Sequence, residues 1–164
     1  MSALLLIILA VSTPAADSVV HPALMPWPRS VTWNSGVLRL DPGFTIAVAG
    51  RSDPRLERTL ARTALRLGRR TGITLGDTIA HGSTGTLVIR ATAAGPAVPE
   101  LSQDESYALT ITPTGATLEA STTVGVIRGV ETLLQLVSAD SAGYFLPAVA
   151  IADAPRFRWR GLLL

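Results

Sequence analysis

Three groups of residues have types and spacing that could do chemistry. The first is Asp104-Glu105, the one adjacent pair of acidic residues in the sequence. Two carboxyl groups can share general acid and general base work if both reach the same bond. Neighbours in an extended segment point to opposite faces, so the pair is expected to be structural, opening a hairpin. The second group is Arg156-Phe157-Arg158-Trp159-Arg160, where guanidinium groups alternate with aromatic rings after Asp153 and Pro155. A planar guanidinium offers several donors in a fixed fork, which suits a pair of hydroxyls. For Arg160 the alternatives to such a ligand contact are an ion pair across a domain boundary or a packed stem. Arg156 and Arg158 are expected to hold a junction, and Trp159 to be buried there. The third group is two lone histidines, His21 and His81. Neither has a second ligand at metal-binding spacing. No metal site, cofactor or catalytic residue is assigned, because the chain also lacks a nucleophile elbow, an HExxH motif, a phosphate loop and a dinucleotide fingerprint.

The elements that must position these residues can be read from pattern. The chain has 164 residues, 48% hydrophobic and 16% charged. That is enough to bury a core and too apolar for a disordered tail. There are no cysteines, so no disulfide or thiolate framework exists. All 14 basic side chains are arginine, and the formal net charge is only +2. Such a balance gives no basic stripe of the kind that reads nucleic acid. Residues 1–16 pair the apolar run Leu4 to Val11 with the small residues Ser12 to Ala16, the pattern of a secretory signal cleaved near Ala15 or Ala16. A buried N-terminal strand or a membrane anchor is the alternative. With cleavage, the product is expected to be secreted or periplasmic and free of the membrane.

Residues 17–152 read as one domain. Pro22, Pro26 and Pro28 make an extended entrance, with Trp27 expected to pack against a sheet. Ser30 to Leu40 reads as a hairpin turning at Asn34-Ser35-Gly36, and Phe44 to Ala49 as a further strand. Asp53 and Pro54 open a helix whose stripe is Leu56, Leu60, Ala64 and Leu67, and Gly72 closes it. Thr86 to Arg90 is a strand. Ser106 to Ala120 is the clearest hairpin, with Tyr107, Leu109 and Ile111 on one side and a turn at Pro113-Thr114-Gly115. A second helix starts at Thr122 or Thr123 and buries Val126, Ile127, Val130, Leu133, Leu134 and Val137. Gly125 and Gly129 cost this helix about 1 kcal/mol each against alanine, which points to a close approach by its neighbours. Tyr144 to Ala150 is extended. The fold class expected is α+β: a two-layer sandwich with a mainly antiparallel sheet and two helices on one face. Residues 153–164 end in Gly161 and three leucines. They read as a junction followed by a first buried strand of a second domain.

The order of motifs resembles glycoside hydrolase family 20, the β-N-acetylhexosaminidases. Asp153, Pro155, Arg156, Phe157, Trp159, Arg160 and Gly161 look like the motif by which that family enters its (β/α)8 barrel. Asp104-Glu105-Ser106-Tyr107, Arg128-Gly129, the segment Glu131 to Leu136, Pro147 with Ile151, and Pro26-Trp27-Pro28 add matches in order. The resemblance implies a non-catalytic accessory domain with the hexosaminidase N-terminal fold, ahead of a truncated barrel. It implies that Arg160 contacts hydroxyls of a terminal N-acetylhexosamine, and that the catalytic Asp-Glu pair lies in the missing barrel. The glycan partner would then be bound through that barrel, by a retaining, substrate-assisted mechanism, and the chain alone would be inactive. The rival expectation is a free-standing carbohydrate-binding or scaffold module, in which Trp27, Trp33 and Trp159 form an exposed stacking platform.

Overall fold

The computed structural model of the protein describes residues 21–75, 79–98 and 100–157. The signal-like segment and Arg158 to Leu164, with Trp159 and Arg160, lie outside the described residues. Ten elements follow one another: β1 (Ser30–Arg39), β2 (Ile46–Val48), α1 (Pro54–Thr71), β3 (Ile79–His81), β4 (Leu87–Ala93), β5 (Tyr107–Thr112), β6 (Gly115–Thr122), α2 (Thr123–Gln135), β7 (Ser138–Asp140) and β8 (Gly143–Asp153). The strands form one sheet in the order β1-β8-β5-β6-β4-β2-β3, with β7 paired to β8. The half from β1 to β6 is antiparallel, as the hairpin signals predict. The half from β6 to β3 is parallel. For β2 and β3 that follows from α1, because a helix between two strands returns the chain in its starting direction.

Register explains which face is covered. Val31, Ile151, Leu109, Leu118, Ile89 and Val48 lie side by side across six strands. All six belong to, or pack against, the single hydrophobic core that both helices share. The neighbouring row is Thr32, Ala150, Thr110, Thr117, Val88 and Ala47, on the opposite face. Period-two alternation thus puts one apolar row inward and, on the other face, a row that is small or hydroxyl apart from Val88 and in which Ala47 is buried. The α+β two-layer expectation holds, with both helices on the apolar face.

Local chemistry fixes both helices. The Asp53 carboxylate accepts from the backbone N–H of Arg55 at 2.9 Å and of Leu56 at 2.8 Å, and Pro54 occupies the first turn. Gly72 ends α1 at φ 70, where a side chain would be strained, and its N–H bonds to Gly68. Leu56, Leu60 and Leu67 are fully buried, each worth about 1.5–3 kcal/mol of transfer free energy. Thr122 caps α2 through its hydroxyl, which accepts from the Gly125 N–H. A Cβ on Gly125 would run into the Ser106 carbonyl of the sheet, and one on Gly129 into Leu118 and Tyr107. The two glycines therefore set how closely α2 lies on β5 and β6. Arg70, in the last turn of α1, donates to the carbonyls of Leu134 at 2.7 Å and Val137 at 3.1 Å. It satisfies acceptors that the end of α2 leaves open.

One local expectation fails here. Ser30 to Leu40 is a single strand, not a hairpin: β1 runs antiparallel to β8 on both sides of an irregularity between Trp33 and Val37. Gly36 at φ 97 takes up the extra residues there. A tight type I′ turn needs two positive-φ residues, and this stretch has one, so the chain bulges and continues along β8. The short strand β7 and its turn at Gly143, φ 118, were not anticipated.

Candidate functional site

The described chain enters and leaves the domain at one place. The entrance, residues 24–29, and the exit, residues 153–157, run together beside the exposed side of α2. Three hydrogen bonds join entrance to exit, and a fourth ties the entrance to α2. The Arg29 N–H donates to Asp153 Oδ1 at 3.1 Å, and the Arg29 guanidinium to the Pro155 carbonyl at 3.1 Å. The Arg156 guanidinium reaches back to the Trp27 carbonyl at 3.4 Å. The Met25 N–H donates to Gln135 Oε1 of α2 at 2.8 Å. The Met25–Pro26 peptide is cis. Each segment therefore donates an arginine to a carbonyl of the other.

Beneath the clasp is a polar anchor in the core. The Tyr107 hydroxyl lies 2.6 Å from Thr132 Oγ1 and donates to Asp153 Oδ2 at 3.4 Å. Burial pushes the Tyr107 phenol up to about 12; the Thr132 hydroxyl works against this and the Asp153 carboxylate adds to it. The phenol therefore stays protonated and keeps β5, α2 and the exit in register. Arg128 Nε bonds Glu105 Oε2 at 2.7 Å, and Arg66 bonds Glu131 at 2.6 Å, joining α1 to α2.

Between clasp and helix lies a groove of about 420 Å³, lined by Met25, Trp27, Arg128, Gln135 and Phe157 among others. Its apolar members stand in solvent: Met25 is 82% exposed, Trp27 53% and Phe157 73%. The expectation that Trp27 packs against the sheet is thus overturned. The Met25 N–H bond to Gln135 holds the entrance beside α2, and Trp27 lines the groove there.

The predicted site residues separate clearly. Arg160 lies outside the described residues, as do Arg158 and Trp159. Arg156 joins the clasp. Asp104 and Glu105 do not converge. Asp104 Oδ1 accepts from the Ser106 hydroxyl at 2.6 Å and the Ser106 N–H at 2.9 Å, bonds that hold its carboxyl below the usual range. Glu105 turns to Arg128. His21 stacks on Trp33, ring centroids 4.1 Å apart, so that indole offers no free face on the histidine side. No cluster of three metal-ligating side chains occurs among the described residues. Three carboxylates line the groove, and each is already engaged: Glu105 by Arg128, Glu131 by Arg66 and Asp153 by Arg29 and Tyr107. The groove supplies an apolar, aromatic ledge inside a rim of paired charges. Sequence reasoning missed Arg29, and it singled out Thr132 and Gln135 only as part of the motif Glu131 to Leu136, without a role. Tyr107 alone carried a signal, since a core-facing tyrosine must find its hydroxyl a partner.

Comparison with known proteins bears on this site. The family profile for glycosyl hydrolase family 20, domain 2, matches residues 21–154. The Homo sapiens β-hexosaminidase subunit beta is 33% identical over 94% of this chain, which covers 30% of that protein. A Flavobacterium johnsoniae chitobiase structure superposes with TM-score 0.80 at 37% identity, over 86% of this chain and 22% of that one. A mutant Streptomyces plicatus β-hexosaminidase in complex with product GlcNAc gives TM-score 0.62 at 29% identity, over 86% and 28%. This chain thus spans less than a third of each of these relatives.

Proposed function

The chain belongs to glycosyl hydrolase family 20, matched in its domain 2, and from that premise we propose that it is the supporting, non-catalytic part of an exported β-N-acetylhexosaminidase. The observation that carries this reading is the profile match, which begins and ends within a few residues of the described structure. The longer protein removes terminal N-acetylhexosamine from glycans. The substrate's own acetamido oxygen serves as nucleophile, an exception to the two-carboxylate pattern of most glycosidases. Its acid catalyst lies in a barrel domain that follows. Arg160 presents a two-pronged donor to the sugar hydroxyls from the start of that barrel. The run Leu4 to Val11 followed by Ser12 to Ala16 directs export to a secreted or periplasmic location. What the described residues contribute is a rigid platform with a clasped exit.

The test compares two proteins from one open reading frame, this chain and the chain extended through the following domain. On an aryl N-acetyl-β-glucosaminide the extended protein should turn over, and the present chain should match the blank. Turnover by the present chain, or none by the extended one, would refute the proposal.

A further inference from the structure

We infer that the outward face of α1 is a docking strip for a linear acidic polysaccharide, carboxylated or sulfated, held by Arg58, Arg62 and Arg69. The inference goes beyond the family reading above and does not depend on it. At about 3.6 residues per turn, these three arginines and Leu65 fall within about 60° of one another around the helix axis. The opposite side of the helix packs on the sheet, with Leu56, Leu60 and Leu67 fully buried. All four outward side chains are exposed, Leu65 at 53%. The strip runs about 16 Å along the axis, at about 1.5 Å per residue. The net charge of +2 for the whole chain hides it. α1 alone carries six arginines and one acidic residue, Glu57.

The arginines of α1 divide into two sets. Arg55 pairs with Asp53, Arg66 pairs with Glu131, and Arg70 donates to carbonyls at the end of α2. These three are engaged in the fold. Among the described residues no carboxylate pairs with Arg58, Arg62 or Arg69. Arg62 reaches the Thr59 hydroxyl at 3.4 Å, and Glu57 accepts from the Ser52 hydroxyl. Arg58 and Arg62 stand four residues apart, a spacing at which like charges on a helix repel. A face that serves solubility alone mixes both signs. Here the repulsion has no return within the described domain, and an anion from outside would relieve it. The guanidinium fork matches the paired oxygens of a carboxylate or a sulfate. One such contact in water is weak, but several along one chain reinforce each other. The surroundings of the charges select among polyanions. Binding of single-stranded nucleic acid uses aromatic stacking, and α1 has no aromatic residue. A membrane surface takes a helix with a broad apolar face, and among these arginines only Leu65 projects. A linear polysaccharide needs neither stacking nor insertion, only charges in a row.

The test measures binding of the extended protein to polygalacturonate and to dextran sulfate in low salt, with neutral dextran as the blank. One variant combines Arg58→Gln with Arg62→Gln. A second combines Arg39→Gln with Arg90→Gln and removes the same charge from exposed ion pairs elsewhere. The first should bind the acidic polysaccharides at least tenfold more weakly than the unaltered protein, and the second less than twofold. Added salt should weaken binding, since exposed charges are screened. A preference for one polysaccharide identifies the acid that the strip takes. Protection needs no variant: polygalacturonate should slow phenylglyoxal modification of Arg58, Arg62 and Arg69 at least threefold, read by peptide mass mapping, and leave Arg90 unaffected. Equal losses in both variants, or equal protection of all four arginines, would overturn the proposal, because net charge alone would then explain binding. So would tighter binding to phosphatidylglycerol vesicles or to duplex DNA, or no binding to either polysaccharide. Turnover of an aryl N-acetyl-β-glucosaminide by the unaltered protein reads the family proposal separately, so either can fail alone.

Discussion

Asp53 closes two helices at once. Its Oδ1 caps α1, and its Oδ2 accepts from the buried Thr123 hydroxyl at 2.6 Å, in the first turn of α2. Asp53→Ala should cost about 1–2 kcal/mol for the cap, and more because Thr123 loses its acceptor; urea unfolding will read the loss. Burial works to raise the pKa of Asp53, but the bonds from Thr123 and Leu56 and the charge of Arg55 hold it below the ordinary 3.8. A carboxyl depressed in the folded state stabilises above its unfolded pKa, and that contribution is lost as pH falls through the folded value. Asparagine caps as well as aspartate but carries no charge. The stability gap between wild type and Asp53→Asn should therefore be widest at pH 5 and shrink toward pH 2, as urea midpoints will record. Asp53, Pro54 and Gly72 were legible in the sequence because capping is decided within four residues. The structural role of Asp104-Glu105 was legible for the same reason, since Asp104 bonds its own neighbour Ser106. The place of Trp27 was not, because the entrance that carries it is bonded through Met25 to Gln135, far away in sequence.

At the scale of elements, α2 shows propensity giving way to packing. Alanine normally stabilises a helix over glycine by about 1 kcal/mol. Here the added methyl at Gly125 would meet the Ser106 carbonyl, which is backbone and cannot swing aside. At Gly129 it would meet the Leu118 and Tyr107 side chains, which can shift at some cost. Both Gly125→Ala and Gly129→Ala should therefore lower the urea midpoint, Gly125→Ala more. A gain in stability from either would contradict this account of the helix–sheet spacing. The close approach was readable from two glycines in an otherwise apolar helix. The hairpin read over Ser30 to Leu40 was misleading, because Asn34-Ser35-Gly36 has turn composition whether or not the chain turns. Only the long partner strand β8 decides that it continues. The parallel pairing of β3 with β2 has no local signature.

Across the whole molecule, the last strand occupies a central position. β8 lies between β1 and β5 and carries β7 as well. A variant ending at Ala142 would strand β1 without a partner and uncover the core beside Leu109 and Ile111. It should show no cooperative thermal transition by circular dichroism, although every other element remains. The topology explains why the fold class could be read while the order of strands could not: alternation reports which side chains face inward, not which strand comes next. One feature of the sheet's rim reaches beyond a single molecule. β1 is an outermost strand ten residues long, long enough to serve as a template for a foreign chain. Its interruption between Trp33 and Val37 divides that template into two short runs, and an intruding strand that matched one would be out of step with the other. The kink that upset the hairpin reading thus makes this rim a poorer template for fibrous self-association than an unbroken strand of the same length would be.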